Sequence, residues 1–258
     1  MITAEANEEQ PSEADSEKAH LAECKAIYLD IAKLFPTDLG KALSKKERDD
    51  KELKVKTLVY GEVNFDSLAN TFTKIKSKYG KPYIGDSGSD GILQSFGGKF
   101  YDLGCGTGKV CFAAAILHNF EVCVGIELLE KLHEMSCQLV NAYNIKAKTR
   151  LPRDQDTEIV VKHGDFLNRA VCDWTDGDVI FANTVFFTDE LYEQLTTLAL
   201  LLRKGAIFIC FTKPLPTKDF VVLERELQLQ SWGSSSLYIL QKATPPRKAY
   251  TTIANTDD

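Results

Sequence analysis

The stretch Phe100-Tyr101-Asp102-Leu103-Gly104-Cys105-Gly106-Thr107-Gly108 constrains this chain more than any other part of it. An apolar run ends in three glycines at alternate positions, and a helical run over 108–118 follows at once. Glycines there let the backbone turn tightly and approach a ligand closely. A second apolar run, 121–126, leads into Glu127, 19 residues beyond Gly108. Strand, glycine turn, helix, strand and terminal acid are the parts of a βαβ nucleoside site, where ligands sit outside the carboxyl ends of parallel strands.

The spacing separates two kinds of cofactor. A dinucleotide loop of the form G-x-G-x-x-G would want glycine at Lys109. This loop instead reads D-x-G-x-G-x-G, with Asp102 two residues before the first glycine. S-adenosylmethionine has no pyrophosphate to cradle but carries an α-ammonium, which Asp102 suits directly or through water. Glu127 suits the two ribose hydroxyls. At 163–166 the sequence His-Gly-Asp-Phe ends a third apolar run. There Asp165 suits the adenine amino group and Phe166 the ring face; the plainer alternative for Asp165 is a helix cap.

The rest of the chain supports a doubly wound sheet. Strands are expected at 99–103, 121–126, 158–162, 178–182 and 206–212, with helices at 108–118, 127–143 and 189–202. Strands alternating with helices imply parallel βαβ units. Segments 220–230 and 237–242, joined through Trp232-Gly233-Ser234-Ser235-Ser236, read as a hairpin that adds an antiparallel edge and brings the count to seven. Ahead of the sheet, residues 1–18 are expected to be disordered, and 19–35 and 65–75 to be amphipathic helices. Segment 41–54 reads as a solvated helix or a loop, and 80–91 as a flexible linker. The expected division is an acidic tail (1–18), a helical N-terminal region (19–91) and a cofactor-binding domain (92–258).

Composition excludes several classes of protein. Residues 1–18 carry six acids and one base, hence five of the six net negative charges, so the body is nearly neutral and has no nucleic-acid-binding stripe. No run approaches eighteen apolar residues, so no membrane span is expected. Seven cysteines without a C-x-x-C pair favour neither a disulfide framework nor zinc, and no metal is expected. Cys105, Cys111, Cys123 and Cys210 sit in apolar runs and read as small core residues.

Further motifs stand in a consistent order: VYGEVNFDSL at 59–68, FYDLGCGTG and GIELLE, HGDFLN at 163–168, DVIFANTVFFTDELYEQL at 178–195, GAIFICFTKPLP at 205–216 and SWGSSSLYIL at 231–240. From Tyr60 to Lys242 the chain resembles the disruptor-of-telomeric-silencing family of histone lysine methyltransferases. The resemblance implies a Rossmann-like, seven-stranded class I methyltransferase fold and S-adenosyl-L-methionine as cofactor. It implies that Tyr60, Gly61, Glu62 and Val63 close over the methionine end of the cofactor. Asp102 to Lys109 and Glu127 would hold its amino-acid and ribose parts, Asp165 and Phe166 its adenine, and Asn183 would lie beside the methionine end. Tyr60, Phe187, Trp232 and Tyr238 would wall a channel for the acceptor lysine. Several positions depart from the family pattern: Val63 stands for threonine, Lys109 for glutamine, Thr184 for the second of two asparagines and Val185 for an aromatic. The closing hairpin is one residue shorter.

Methyl transfer from a sulfonium needs a neutral amine in line with the methyl group. An apolar channel favours the neutral form by desolvation, and fixed alignment lowers the entropic barrier. Asn183 is the candidate to orient amine or cofactor; its alternative is a cap for the helix at 189–202. Glu62 is a candidate for the cofactor's amino group, or a cap for the helix near Phe65. On a strand Phe186 and Phe187 would face opposite ways, so one of them is expected at the site. The expected activity is transfer to a core histone lysine in nucleosomes, in the nucleus, with weak or indirect DNA contact because no basic segment follows the hairpin. The alternatives are a methyltransferase for another protein or a small molecule, nuclear or cytoplasmic, and a non-catalytic cofactor-binding partner protein.

Overall fold

The structure, a computed structural model, describes residues 13–53, 58–79, 93–152 and 155–245. Three helices come first: α1 (Glu13–Ala32), α2 (Thr37–Asp50) and α3 (Phe65–Lys74), the last continued by a π-helical turn, Ile75–Tyr79. Then follow β1 (Lys99–Leu103), α4 (Lys109–Leu117), β2 (Val122–Glu127), α5 (Glu130–Ala142), β3 (Glu158–His163) and β4 (Val179–Ala182). The chain continues with α6 (Asp189–Ala199), β5 (Ile207–Phe211), β6 (Phe220–Gln230) and β7 (Gly233–Lys242). The strands form one sheet in the order β3-β2-β1-β4-β5-β7-β6. The first five pair in parallel, and β7 inserts antiparallel between β5 and the edge strand β6. This is the Rossmann-like seven-stranded sheet expected from the sequence.

The central strands are apolar on both faces because both faces are covered: every residue of β5, Ile-Phe-Ile-Cys-Phe, is fully buried. One face packs against α1, α3, α4 and α5, in a cluster joining Ile27, Tyr28, Phe65 and Phe72 to Phe100, Phe112 and Ile116. The other packs against α6 and the Trp174 segment. The N-terminal helices therefore share one core with the sheet. Helix α4 lies between the sheet and α1 and α3, which accounts for its apolar sequence Val-Cys-Phe-Ala-Ala-Ala-Ile-Leu.

The strand order reverses between β1 and β4, so a crevice opens at their carboxyl ends, where the glycine loop leaves β1.

Some boundaries differ from the sequence reading. Helix α1 already includes residues 13–18, where Asp15 and Glu17 place negative charge near its positive N-terminal end. Segment 41–54 is helical as far as Asp50. Serines 234–236 belong to β7, not to the turn: Gln230 pairs with Gly233 across a two-residue turn, and the serines pair with Leu229, Gln228 and Leu227. Gly233 supplies the required positive φ of 117°, and cross-strand pairing overrides weak strand propensity. The expected linker at 80–91 lies outside the described residues, as do residues 1–12.

Candidate active site

A cavity of about 330 Å³ occupies the crevice. Its lining gathers Tyr60, Gly61, Glu62, Val63, Asp102, Leu103, Gly104, Cys105, Gly106, Thr107, Lys109, Glu127, Asp165, Phe166, Asn183 and Phe187. Gly108 stands behind the wall: with φ 81° it is the N-cap of α4, and a side chain there would press on Ser136.

The glycine loop is held by the second strand. Gly104 and Cys105 donate their N–H groups to the Ile126 carbonyl at 2.9 and 3.0 Å, and Gly106 N–H donates to Glu127 Oε2 at 2.8 Å. Gly106 has φ 55°, and a Cβ there would lie 2.5 Å from Tyr60 Cε2, so the loop could not carry a larger residue beneath the tyrosine ring. Glu127 Oε1 accepts from Leu129 N–H at 2.8 Å. The Glu127 carboxylate thus ties the glycine loop to the start of α5 while lining the cavity. Burial raises the Glu127 carboxyl above its usual range, against the pull of the Leu129, Gly106 and Leu128 N–H groups. Burial and the neighbouring Glu127 charge push Asp102 well above the usual carboxylate range.

Loop 60–64 forms the opposite wall. The Tyr60 hydroxyl donates to Glu62 Oε1 and pairs with Thr107 Oγ1 at 2.8 Å. The Lys109 ammonium donates to both Glu62 oxygens at 2.8 Å, and Thr37 Oγ1 donates to Oε2 at 2.5 Å. Glu62 does not cap α3; that role falls to Asn64, whose side chain accepts from Asp66 N–H at 2.9 Å. The β6–β7 tip is sewn to this loop. Glu62 N–H donates to Ser231 Oγ at 2.8 Å, Ser231 N–H to the Glu62 carbonyl at 3.3 Å, and Asn64 N–H to Gln230 Oε1 at 2.7 Å.

Asn183 follows β4 directly, and its Oδ1 is buried without a hydrogen-bond partner. It does not cap α6, because Thr188 does, accepting from Leu191 N–H at 3.3 Å. Thr184 braces the neighbouring strand, with Oγ1 donating to the Phe211 carbonyl at 2.6 Å and accepting from its N–H at 3.1 Å. Residues 183–187 form a turn, not a strand. Phe187 reaches the cavity and stacks on Phe166 at 5.8 Å, while Phe186 is exposed. Asp165 Oδ1 accepts from Leu167 N–H at 2.8 Å within its own turn.

Trp232 and Tyr238 are not among the lining residues. Trp232 backs the loop, so close that a Cβ on Gly61 would lie 2.6 Å from its ring, and it meets Phe211 edge-on at 5.6 Å. Tyr238 packs in the α6-side cluster with the Arg225 guanidinium 5.7 Å from its ring centre. The two aromatics join different clusters, Trp232 packing against that of α4. Sequence reasoning missed Leu53, Leu58, Leu128, Leu129, Leu132 and Leu191 in the lining. It also missed Glu47 of α2, which accepts from the N–H groups of Glu130 and Lys131 at 2.9 and 2.8 Å and so caps α5 from another helix. Burial works against the Glu47 charge, but the Lys51 ammonium and these N–H groups outweigh it and hold the carboxyl below its usual range.

A model of the family described as histone methylation protein DOT1 matches residues 51–232, well over half of the chain. The chain belongs to the DOT1 family. It is an S-adenosylmethionine-dependent methyltransferase built on the seven-stranded Rossmann-like sheet. No curated protein matches it in sequence. Among solved structures, it is similar to an rRNA methyltransferase of Streptomyces viridochromogenes (10% identity, TM-score 0.49, 70% of this chain and 86% of that one). It is also similar to a tRNA methyltransferase of B. subtilis (10% identity, TM-score 0.45, 72% and 68%).

The lining of this DOT1-family cavity fits the cofactor. Two buried carboxylates suit its cationic and hydroxyl-bearing parts, an unpartnered carboxamide oxygen stands nearby, and leucines and Phe166 offer apolar surface for a base. Among the described residues no group of three or more His, Cys, Asp or Glu is placed to hold a metal, and no helix is long and apolar enough to cross a membrane.

Proposed function

We propose that this protein methylates a lysine of a core histone in nucleosomes, acting in the nucleus as a chromatin regulator. The observation that carries this reading is the buried, unpartnered Oδ1 of Asn183 at the cavity wall, which also includes Tyr60 and Phe187, in a chain whose family match spans these residues. A buried carbonyl oxygen without a donor costs free energy. An incoming amine N–H is a donor of the right kind.

The cofactor, when bound, supplies an electrophilic methyl group. Asp102 holds its ammonium, Glu127 its ribose hydroxyls, and Asp165 and Phe166 its adenine. Asn183 accepts a hydrogen from the acceptor amine and so aims the nitrogen lone pair. The apolar surface of Tyr60 and Phe187 excludes water and favours the neutral amine, which is a minor species in bulk water at neutral pH. With the cofactor held there, its methyl group would be supplied to the nitrogen that Asn183 orients, within walls that Tyr60 and Phe187 keep apolar.

One observation favours a second reading. Trp232 and Tyr238 stand outside the cavity lining and in separate clusters, so the acceptor side lacks two of the aromatic walls that the family pattern implies. An acceptor other than a histone lysine, on another protein or a small molecule, fits that arrangement. Turnover of labelled cofactor on nucleosomes, free histones and a cell lysate tests both, with mass spectrometry of the products. Label on a histone lysine supports the proposal. Label on arginine, RNA or a small metabolite, with none on lysine, refutes it and leaves the cofactor assignment intact.

A further inference from the structure

Helix α2 ends one residue before the stretch that matches the DOT1 family, yet it is seated on residues that line the cavity. The residues it buries are Gly40, Ser44 and Glu47, so small and polar groups hold it there, not large apolar side chains. With Thr37 they recur at spacings of three and four and share one face of the helix. Three of the four meet the segment that leads into loop 60–64 and the loop itself. Thr37 Oγ1 donates to Glu62 Oε2 at 2.5 Å, a Cβ on Gly40 would lie 2.5 Å from Tyr60 Cε1, and Ser44 Oγ donates to the Leu58 carbonyl at 3.0 Å. Glu47 reaches elsewhere, to the start of α5.

At that start the pocket and the helix make opposing demands. The N-cap of α5 is Leu129, which lines the cavity and has no side-chain oxygen for the orphan N–H groups of the first turn. Glu47 supplies the oxygens from outside the helix. Its carboxylate, 4% exposed, accepts from Glu130 N–H at 2.9 Å and Lys131 N–H at 2.8 Å. Negative charge is favourable at the positive end of α5, and the Lys51 ammonium donates to the same carboxylate at 2.7 Å. The preceding peptide N–H, that of Leu129, donates to Glu127 Oε1 at 2.8 Å. Consecutive backbone groups are thus gripped by Glu47 on one side and by Glu127 on the other.

We infer that Glu47 is a positioning residue of the cofactor site: by capping α5 from α2 it fixes Leu129, and through Leu129 the carboxylate of Glu127. The inference rests on the reading of Glu127 as the acid that receives the ribose hydroxyls. It gives α2, which lies outside the family match, a part in cofactor affinity.

Titration calorimetry of the full chain with S-adenosylhomocysteine, on Glu47→Ala, Glu127→Ala and the double variant, tests it. Glu47→Ala should weaken binding per folded molecule by about fivefold or more, a size usual for residues coupled in one hydrogen-bond network. In the Glu127→Ala background the same substitution should change affinity by less than about twofold, because the group it positions is gone. Glu47→Gln keeps one oxygen for the two N–H groups and should lose less affinity than Glu47→Ala. A lowered melting temperature in Glu47→Ala with affinity unchanged overturns the inference, since the cap would then serve stability alone. Equal losses of affinity in the two backgrounds overturn it as well, since Glu47 would then act by another route than Glu127. Where Glu47→Ala does not fold, Glu47→Gln decides in the same two backgrounds, by a loss present in the first and absent in the second. Binding by Glu127→Ala as tight as that of the wild type removes the ribose reading, and this inference with it.

Discussion

Replacing Glu127 with alanine removes one side chain that serves both the loop and the ligand. In the ligand-free protein the carboxylate receives Gly106 N–H and Leu129 N–H, each at 2.8 Å, in a residue only 6% exposed. Losing a charged acceptor costs about 1.5–3 kcal/mol per hydrogen bond, but water entering from the cavity can take over part of that role. The expected loss of stability is therefore about 2–4 kcal/mol, which in a chain of this size lowers the melting temperature by about 5–15 °C. The two ribose hydroxyls lose their acceptor as well, which weakens cofactor binding by about 2–4 kcal/mol, or about 30- to 700-fold. Differential scanning calorimetry reads the first quantity and titration calorimetry the second. An unchanged melting temperature would show that the carboxylate does not hold the glycine loop. Unchanged affinity in a folded variant would remove Glu127 from the ribose site.

Asn183→Ala should leave the melting temperature within about 2 °C and lower turnover at least about tenfold, since it removes an oxygen with no partner in the fold; lost stability with activity retained would refute this. Thr188→Ala, which removes the actual cap of α6, should instead cost about 1 kcal/mol of stability and spare turnover. Asp102 has a raised carboxyl in the folded chain, so its contribution to stability is full below its unfolded value of 3.8 and is lost as the pH rises through the folded value. An ammonium bound beside it reverses that loss and expels the proton. Cofactor binding should accordingly release protons at pH values between 3.8 and the raised folded value, read by calorimetry across a pH series in buffers of different ionisation enthalpy, and Asp102→Asn should abolish the part due to this residue; no difference between the two proteins at any pH would refute the pairing.

The parts legible in the sequence were those fixed by local pattern. The run Lys99–Leu103 matches its strand residue for residue, because an apolar run that ends in alternating glycines has few other conformations available. The helix at Phe65, Leu68, Ala69 and Phe72 was equally plain, all four being buried on one face. What escaped depends on contacts between distant segments. Glu47 looks like one more charge in a lysine-rich helix until α5 is seen to start against it. Three consecutive serines read as a loop, and only their register against β6 makes them strand. Lys109 read as a substitution in a cofactor loop; its pairing with Glu62 follows from the approach of a segment 47 residues away. Trp232 reads from the sequence as a wall of the acceptor channel; its place behind loop 60–64 follows only from the approach of the hairpin to Gly61.

The seam between the hairpin tip and loop 60–64 has a consequence for how the molecule is made. Asn64 is bound by Gln230, and Glu62 by Ser231, across separations of 166 and 169 residues. Contacts that close such long stretches of chain form late. A ribosome delivers the N-terminal segments first, at about 5–20 residues per second. During synthesis the glycine loop and Glu127 are therefore complete well before Ser231 emerges, while loop 60–64 still lacks its fastening. The β6–β7 hairpin, made after the strands that carry the glycine loop and Glu127, is the one that fastens loop 60–64, so a nascent chain stopped short of it would carry most of a cofactor pocket with one side unfastened.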